Sequence, residues 1–107
     1  MFYRIQQANR PADAILDPEQ QFSYSYCTDT VRHGVSACRS YADLVEYFAQ
    51  TGVPFDGDSI LVTFDGDYSD DTDEDASLGA ILTIPETIIS TERADVRFLD
   101  AVLELVA

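Results

Sequence analysis

Between Asp65 and Ala76 the chain reads DGDYSDDTDEDA, seven carboxylates (Asp65, Asp67, Asp70, Asp71, Asp73, Glu74 and Asp75) in twelve residues with no basic residue among them. Three kinds of chemistry suit such a run: coordination of a hard cation, recognition of a cationic surface, or simple hydration of a self-repelling loop. Calcium takes roughly six to eight oxygens from ligands in a fixed order. An EF-hand frame opened at Asp65 puts Asp67 and Ser69 at ligand positions, but Asp70 stands where the turn requires glycine and Ala76 where the bidentate glutamate belongs. Frames opened at Asp67 or Asp71 end on Leu78 or Leu82. The sequence FDGD occurs at 55–58 and again at 64–67, yet a strand from Asp58 to Asp65 spans roughly 20 Å at about 3.3 Å per residue, so the two copies do not clamp one ion. We expect no dedicated metal site, and read the run as a hydrated loop or a partner-facing surface.

Cys27, His33 and Cys38 form a second set, C-x5-H-x4-C with Asp29 nearby, of residue types that bind zinc or support thiol chemistry. The spacing departs from the paired C-x2-C knuckles of zinc sites. Cys27 continues a strand-like alternation and Cys38 precedes a helix, so packing accounts for both. Cys38 stands just ahead of a helix N-terminus, where the dipole lowers a thiol pKa and favours reactivity if the side chain is exposed. His33, beside Gly34, is the one residue whose ordinary pKa lies near neutrality. We read it as structural.

The pair Tyr3-Arg4 in the first predicted strand, followed by GVSACRSYADLVEYF, a strand entering a helix through a serine-containing segment, resembles small ADP-ribosyltransferase-like domains. The resemblance implies a nicotinamide dinucleotide site built from an Arg, a His or Tyr, a Ser or Tyr, and a late Glu. Arg4 and Ser36 fall on the arginine and serine positions. Neither Glu74, in the acidic run, nor Glu86, after a proline, falls on the late glutamate, and the resemblance covers the first half of the chain. It therefore assigns no catalytic residue and no cofactor. A glycine-rich phosphate loop, a nucleophile elbow and a His-carboxylate pair at helical spacing are all missing.

The net charge is −14, and all six cations are arginine, at positions 4, 10, 32, 39, 93 and 97. A nucleic-acid face needs clustered cations that displace phosphate counterions, so direct nucleic-acid binding is disfavoured, and anionic membrane surfaces with it. The same acidity without lysine also arises from a high-salt cytoplasm or a genomic bias, where it serves solubility. The first residues, MFYRIQQANRP, lack the apolar run of a secretory signal, and no window approaches the ~18 apolar residues of a membrane span. The expected setting is cytoplasmic, with reduced cysteines.

With 107 residues, 46% of them hydrophobic, the chain suits one domain over 1–107. Phe2–Gln6 is rich in strand formers, and the alternation FSYSYC sets Phe22, Tyr24 and Tyr26 on one face. VRHGVSAC reads as strand with a break at Gly34. Ser40 as N-cap, Tyr41, Leu44, Val45 and Phe48 at helical spacing, and Gly52 with Pro54 as terminators predict a helix over 41–51. SILVT and AILTI, the second ending at Pro85, predict a hairpin whose connection is the acidic run. Both FDGD copies should mark strand ends, and Thr87 to Ile89 suits a further short strand. From 92 to 106, Val96, Leu99, Val102, Leu103 and Val106 recur with helical period behind Ser90 or Thr91 as cap.

The expected fold class is α+β, a small mainly antiparallel sheet with helices at about 41–51 and 92–106. The expected function is a non-catalytic interaction module that presents Asp65, Asp67, Asp70, Asp71, Asp73, Glu74 and Asp75 to a basic protein surface. The alternative is a small enzyme or ligand-binding domain using Arg4, His33 and Ser36, with Cys38 beside them.

Overall fold

The computed structural model describes residues 1–7, 10–24, 31–52, 55, 58–73, 75–94 and 96–106, with residues 23, 24 and 96 described by backbone alone. Strand formers at the amino end make β1 (Phe2–Gln6), and the FSYSYC alternation opens β2 (Phe22–Tyr24); the rest of that alternation, including Tyr26 and Cys27, lies outside the described residues. VRHGVSAC forms β3 (Val31–His33) and β4 (Val35–Ala37). They are followed by helix α1 (Tyr41–Thr51), strands β5 (Ile60–Tyr68) and β6 (Ile81–Arg93), and helix α2 (Val96–Val106). A four-stranded antiparallel sheet has the order β1-β5-β6-β4, and β2 pairs with β3 in a separate antiparallel ladder. The fold is α+β. No described helix is long and apolar enough to cross a membrane.

The strand pleat divides the core in two, because alternate residues face opposite sides. Phe2, Val35, Ala37, Val62 and Phe64 bury one face together with Ile15, which arrives on the 3-10 turn Ala12–Leu16. Tyr3, Ile5 and Leu61 pack the other face against α1 and α2. There Phe48, Phe55 and Phe98 meet edge to face at centroid distances of 5.1–5.5 Å, a geometry that adds attraction beyond the area removed from water. Cys38 and Tyr3 exchange two backbone hydrogen bonds, 2.8 and 2.9 Å, so the outer strands β4 and β1 meet at one end of the sheet.

Helix α1 has the expected bounds and caps: Asp43 N–H donates to Ser40 Oγ at 3.0 Å, and Gly52 ends the helix with φ +66°. Helix α2 differs from expectation. Ser90, Thr91, Glu92 and Arg93 are strand residues paired with Thr63, Val62, Leu61 and Ile60, and Ala94 N–H donates to Ser59 O at 2.6 Å, so the helix begins only at Val96. Its packed face also shifts. Phe98, Ala101 and Val102 meet the core, while Leu99, Leu103 and Val106 are 40–56% exposed. A phenylalanine outbids leucine for the space beside Phe48 and Phe55, because the larger ring removes more apolar area from water.

Pro85 does not end its strand. β6 runs through it to Arg93 and includes the separate strand expected at 87–89. Proline lacks the N–H that a ladder needs and is accommodated at irregularities. Here it stands opposite Gly66, where the β5–β6 register shifts. The second FDGD copy accordingly lies inside β5 and does not mark its end; of the first copy, residues 56 and 57 lie outside the described residues. A Cβ at Gly66 would stand 2.1 Å from Ile84 O, and one at Gly34 would stand 2.9 Å from Leu82 Cβ at a φ of +130°. Gly34 lets the chain leave the β2–β3 ladder and enter the main sheet within one residue. Gly66→Ala and Gly34→Ala should each lower stability by about 1–3 kcal/mol or more in urea denaturation. Unchanged midpoints would contradict these close approaches.

Candidate functional site

The acidic run is folded against the domain. β5 extends to Tyr68, and Ser69 N–H still donates to Leu82 O at 3.0 Å. Beyond it three carboxylates turn to neighbouring elements. Asp71 accepts His33 N–H at 2.6 Å, Asp73 accepts the Ser36 hydroxyl at 2.7 Å, and Asp75 accepts the Tyr47 hydroxyl at 2.6 Å. β3, β4 and α1 each supply one donor. Asp73 also accepts Asp75 N–H at 2.8 Å, and Arg32 donates to Thr72 O at 3.0 Å. The Ser69 hydroxyl donates to His33 O and accepts Asp71 N–H.

The seven carboxylates therefore separate into different environments. Asp73 is buried at 8% exposure and Asp75 is half-buried, while Asp65, Asp67, Asp70 and Asp71 are exposed. Asp65 lies 3.2 Å from the Met1 amino group. Glu74 lies outside the described residues. Among the described residues no group of three His, Cys, Asp or Glu side chains is disposed to hold a metal ion.

From Asp73 the hydrogen bonds continue to the other face of β4. Arg4 Nη1 donates to Ser36 O at 2.8 Å, and Arg4 Nε donates to Gln6 Oε1 at 3.0 Å. Gln6, 1% exposed, is fixed in turn by donating to Pro11 O at 3.3 Å. The pleat puts Arg4 and Gln6 on the same side of β1 as Phe2, and there they line a cleft of about 320 Å³ with Arg10, Gln20, Val35 and Ser36. Burial, then the nearby charge of Arg10, pushes the Arg4 guanidinium down to about 10, while Asp73 opposes both effects.

Of the residues grouped by the enzyme alternative, Arg4 and Ser36 are together. His33 is exposed, lies with its ring 5.3 Å from Phe22, and is not part of the cleft wall. Cys38 is buried at 1% exposure among helix residues, and burial, aided by Asp43 and Asp73, raises its thiol to about 12. Desolvation and two carboxylates outweigh the helix dipole, so its position ahead of α1 does not activate it. Burial and the bond to Asp75 push the Tyr47 hydroxyl well above its usual range. Sequence reasoning missed Gln6, Arg10 and Tyr47. Gln6 was within reach, two residues after Arg4 on a strand and hence on its face, whereas the approach of Arg10 and Tyr47 depends on tertiary folding.

Asp73→Ala removes the acceptor for Ser36 and Asp75 together and should cost about 2–4 kcal/mol in urea denaturation; a loss below about 0.5 kcal/mol would contradict this role. Native Cys38 should resist thiol reagents until the chain unfolds. Folding raises this pKa from 9.0 to about 12, so the unfolded chain loses the proton first. The associated stability is complete below pH 9 and lost as pH rises toward 12. Cys38→Ala should therefore show a shallower alkaline fall in melting temperature than wild type, and parallel curves would contradict the assignment.

Compared with family models, curated proteins and solved structures, the chain matches no family model, no curated protein and no solved structure.

Proposed function

We propose that the protein is a non-catalytic interaction module, acting in the cytoplasm, which docks a basic protein surface against the carboxylates at the β5–β6 end. The observation that supports this reading is the attachment of the acidic segment through Asp71, Asp73 and Asp75 to three elements. Strand β5 presents Asp65 and Asp67, and the tethered segment after it presents Asp70 and Asp71, from fixed positions, and ordered charge gives a cationic partner both steering and register. A freely moving loop would supply attraction without register. Arg32 and Arg39 also reach this end, Arg32 on Thr72 O and Arg39 over the exposed Tyr68 ring at 5.5 Å. They brace the segment and limit its self-repulsion.

A second reading, a small enzyme or ligand-binding domain using Arg4, His33 and Ser36, is favoured by the Arg4–Ser36 contact. For an enzyme the histidine is displaced: His33 is exposed and packs its ring on Phe22, a residue of the cleft wall, without lining the cleft itself.

The docking reading is tested with the triple variant Asp65→Asn, Asp67→Asn, Asp70→Asn, which spares the carboxylates that hold the segment. Immobilised wild type should retain a basic protein from host extract and release it near 1 M salt, where the screening length falls to about 3 Å. The variant should lose capture with an unchanged or higher melting temperature. Capture that survives the triple substitution would overturn the reading.

A further inference from the structure

Arg4 and Arg10 stand together in a protein of net charge −14 whose carboxylates outnumber its cations more than threefold. The pairing is anomalous on electrostatic grounds. Arg4 is half-buried, and a charged group removed from water is normally matched by an opposite charge, yet no carboxylate among the described residues lies within ion-pair distance of it or of the exposed Arg10 beside it. Arg4 spends Nε on Gln6 and one Nη1 hydrogen on the Ser36 carbonyl, both neutral acceptors. Its Nη2 hydrogens have no acceptor among the described residues. Arg10 is held by Gln20 Oε1 at 3.1 Å, again a neutral group.

We propose that the cleft bounded by β1, β4 and residues 10–20 binds the oxyanion group, phosphate or carboxylate, of a small molecule between Arg4 and Arg10. The inference is independent of the acidic docking surface, which lies at the other end of the Asp73–Ser36 link. Three properties of the cleft fit this ligand. Its volume, about 320 Å³, lies at the small end of ligand pockets, which run to about 300–1,000 Å³. Its walls combine apolar Ile15 and Val35 with the amide side chains of Gln6 and Gln20, so an organic body and an anionic head can be served together. Arg4 is pre-positioned, since Gln6 and the Ser36 carbonyl fix its fork before any ligand arrives, which lowers the ordering cost of binding. Burial first, and the charge of Arg10 second, hold the Arg4 guanidinium down to about 10, and an anion entering between the two offsets the second of these effects.

The overall negative charge opposes an approaching anion, but that field decays within about 8–10 Å at physiological ionic strength, whereas the two guanidiniums act at contact, Arg4 from a half-buried position of lower dielectric. Glu19 is exposed on the cleft rim and is the local opponent. Fork-shaped arginine donors match both phosphate and carboxylate, so the surroundings do not by themselves choose between the two groups.

The experiment follows the arginine Nε–H signals by NMR at constant ionic strength, with inorganic phosphate in one titration and succinate in the other. The expected result is a saturable shift of Arg4 and Arg10 while Arg93 and Arg97 stay in place. Saturation by phosphate alone assigns a phosphorylated ligand, by succinate alone a carboxylate, and by both the shared oxyanion chemistry. Arg10→Gln, at an exposed position that leaves the melting temperature unchanged, should weaken binding about tenfold or more. Glu19→Gln should tighten it. Unsaturating shifts of equal size at all arginines, or Arg10→Gln binding like wild type, would overturn the proposal; this second variant keeps the test open where Arg4→Gln fails to fold.

Discussion

Asp73 is a carboxylate at 8% exposure, and burying such a group costs several kcal/mol unless donors replace its water. The replacements are the Ser36 hydroxyl and the Asp75 amide, with the Arg4 charge close enough to be felt through Ser36. One side chain thus fastens the acidic segment to β4 and partly offsets the burial and repulsion that lower the pKa of the half-buried Arg4. Ser36 is the joint: its side chain faces the acidic segment and its carbonyl faces the cleft. The acidic end and the arginine cleft are therefore two consequences of one polar connection through a three-residue strand.

That connection depends on the two-sided sheet. β4 is short, pairing with β6 through Val35, Ser36 and Ala37 and meeting β1 where Cys38 bonds Tyr3. Gly34 makes this possible, since a side chain there would meet Leu82 and Ser69. On one side of the sheet the aromatic group of Phe48, Phe55 and Phe98 fixes both helices. The opposite side is filled by Phe2, Ile15, Val35, Ala37, Val62 and Phe64 with Ile60 packed against them, and the cleft is the space left beside Arg4 and Gln6 under the 12–20 segment. Polar residues on β1 at that end make the space an arginine-lined recess where apolar ones would have made more core.

Local chemistry was readable in the sequence wherever one segment carried its own signal. Ser40, Gly52 and the apolar positions between them specify α1 at both ends, and FYRIQ specifies β1, because caps and strand propensity act within a few residues. Where two segments compete, the sequence misleads. Ser90 and Thr91 resemble helix caps, yet the ladder to β5 claims them, and Pro85 resembles a strand end, yet a register shift opposite Gly66 absorbs it. The acidic run is the clearest case. Its like charges describe a repelling, hydrated loop, and the donors on His33, Ser36 and Tyr47 that tie it down come from other parts of the chain. The arginine cleft was equally hidden: Arg4 was singled out, but the proximity of Arg10 is created by the turn that brings residues 10–20 back over β1.

The acidic segment serves as an ordered surface only when it is held in place, and native-state amide hydrogen exchange reads that directly. The amides of Asp71 and Asp75, donating to Ser69 Oγ and Asp73 Oδ1, and of His33, donating to Asp71 Oδ2, should exchange well below the rate of an open chain and lose that protection together in Asp73→Ala. Exchange of these amides at open-chain rates in the wild-type protein would show an untethered loop and contradict the account.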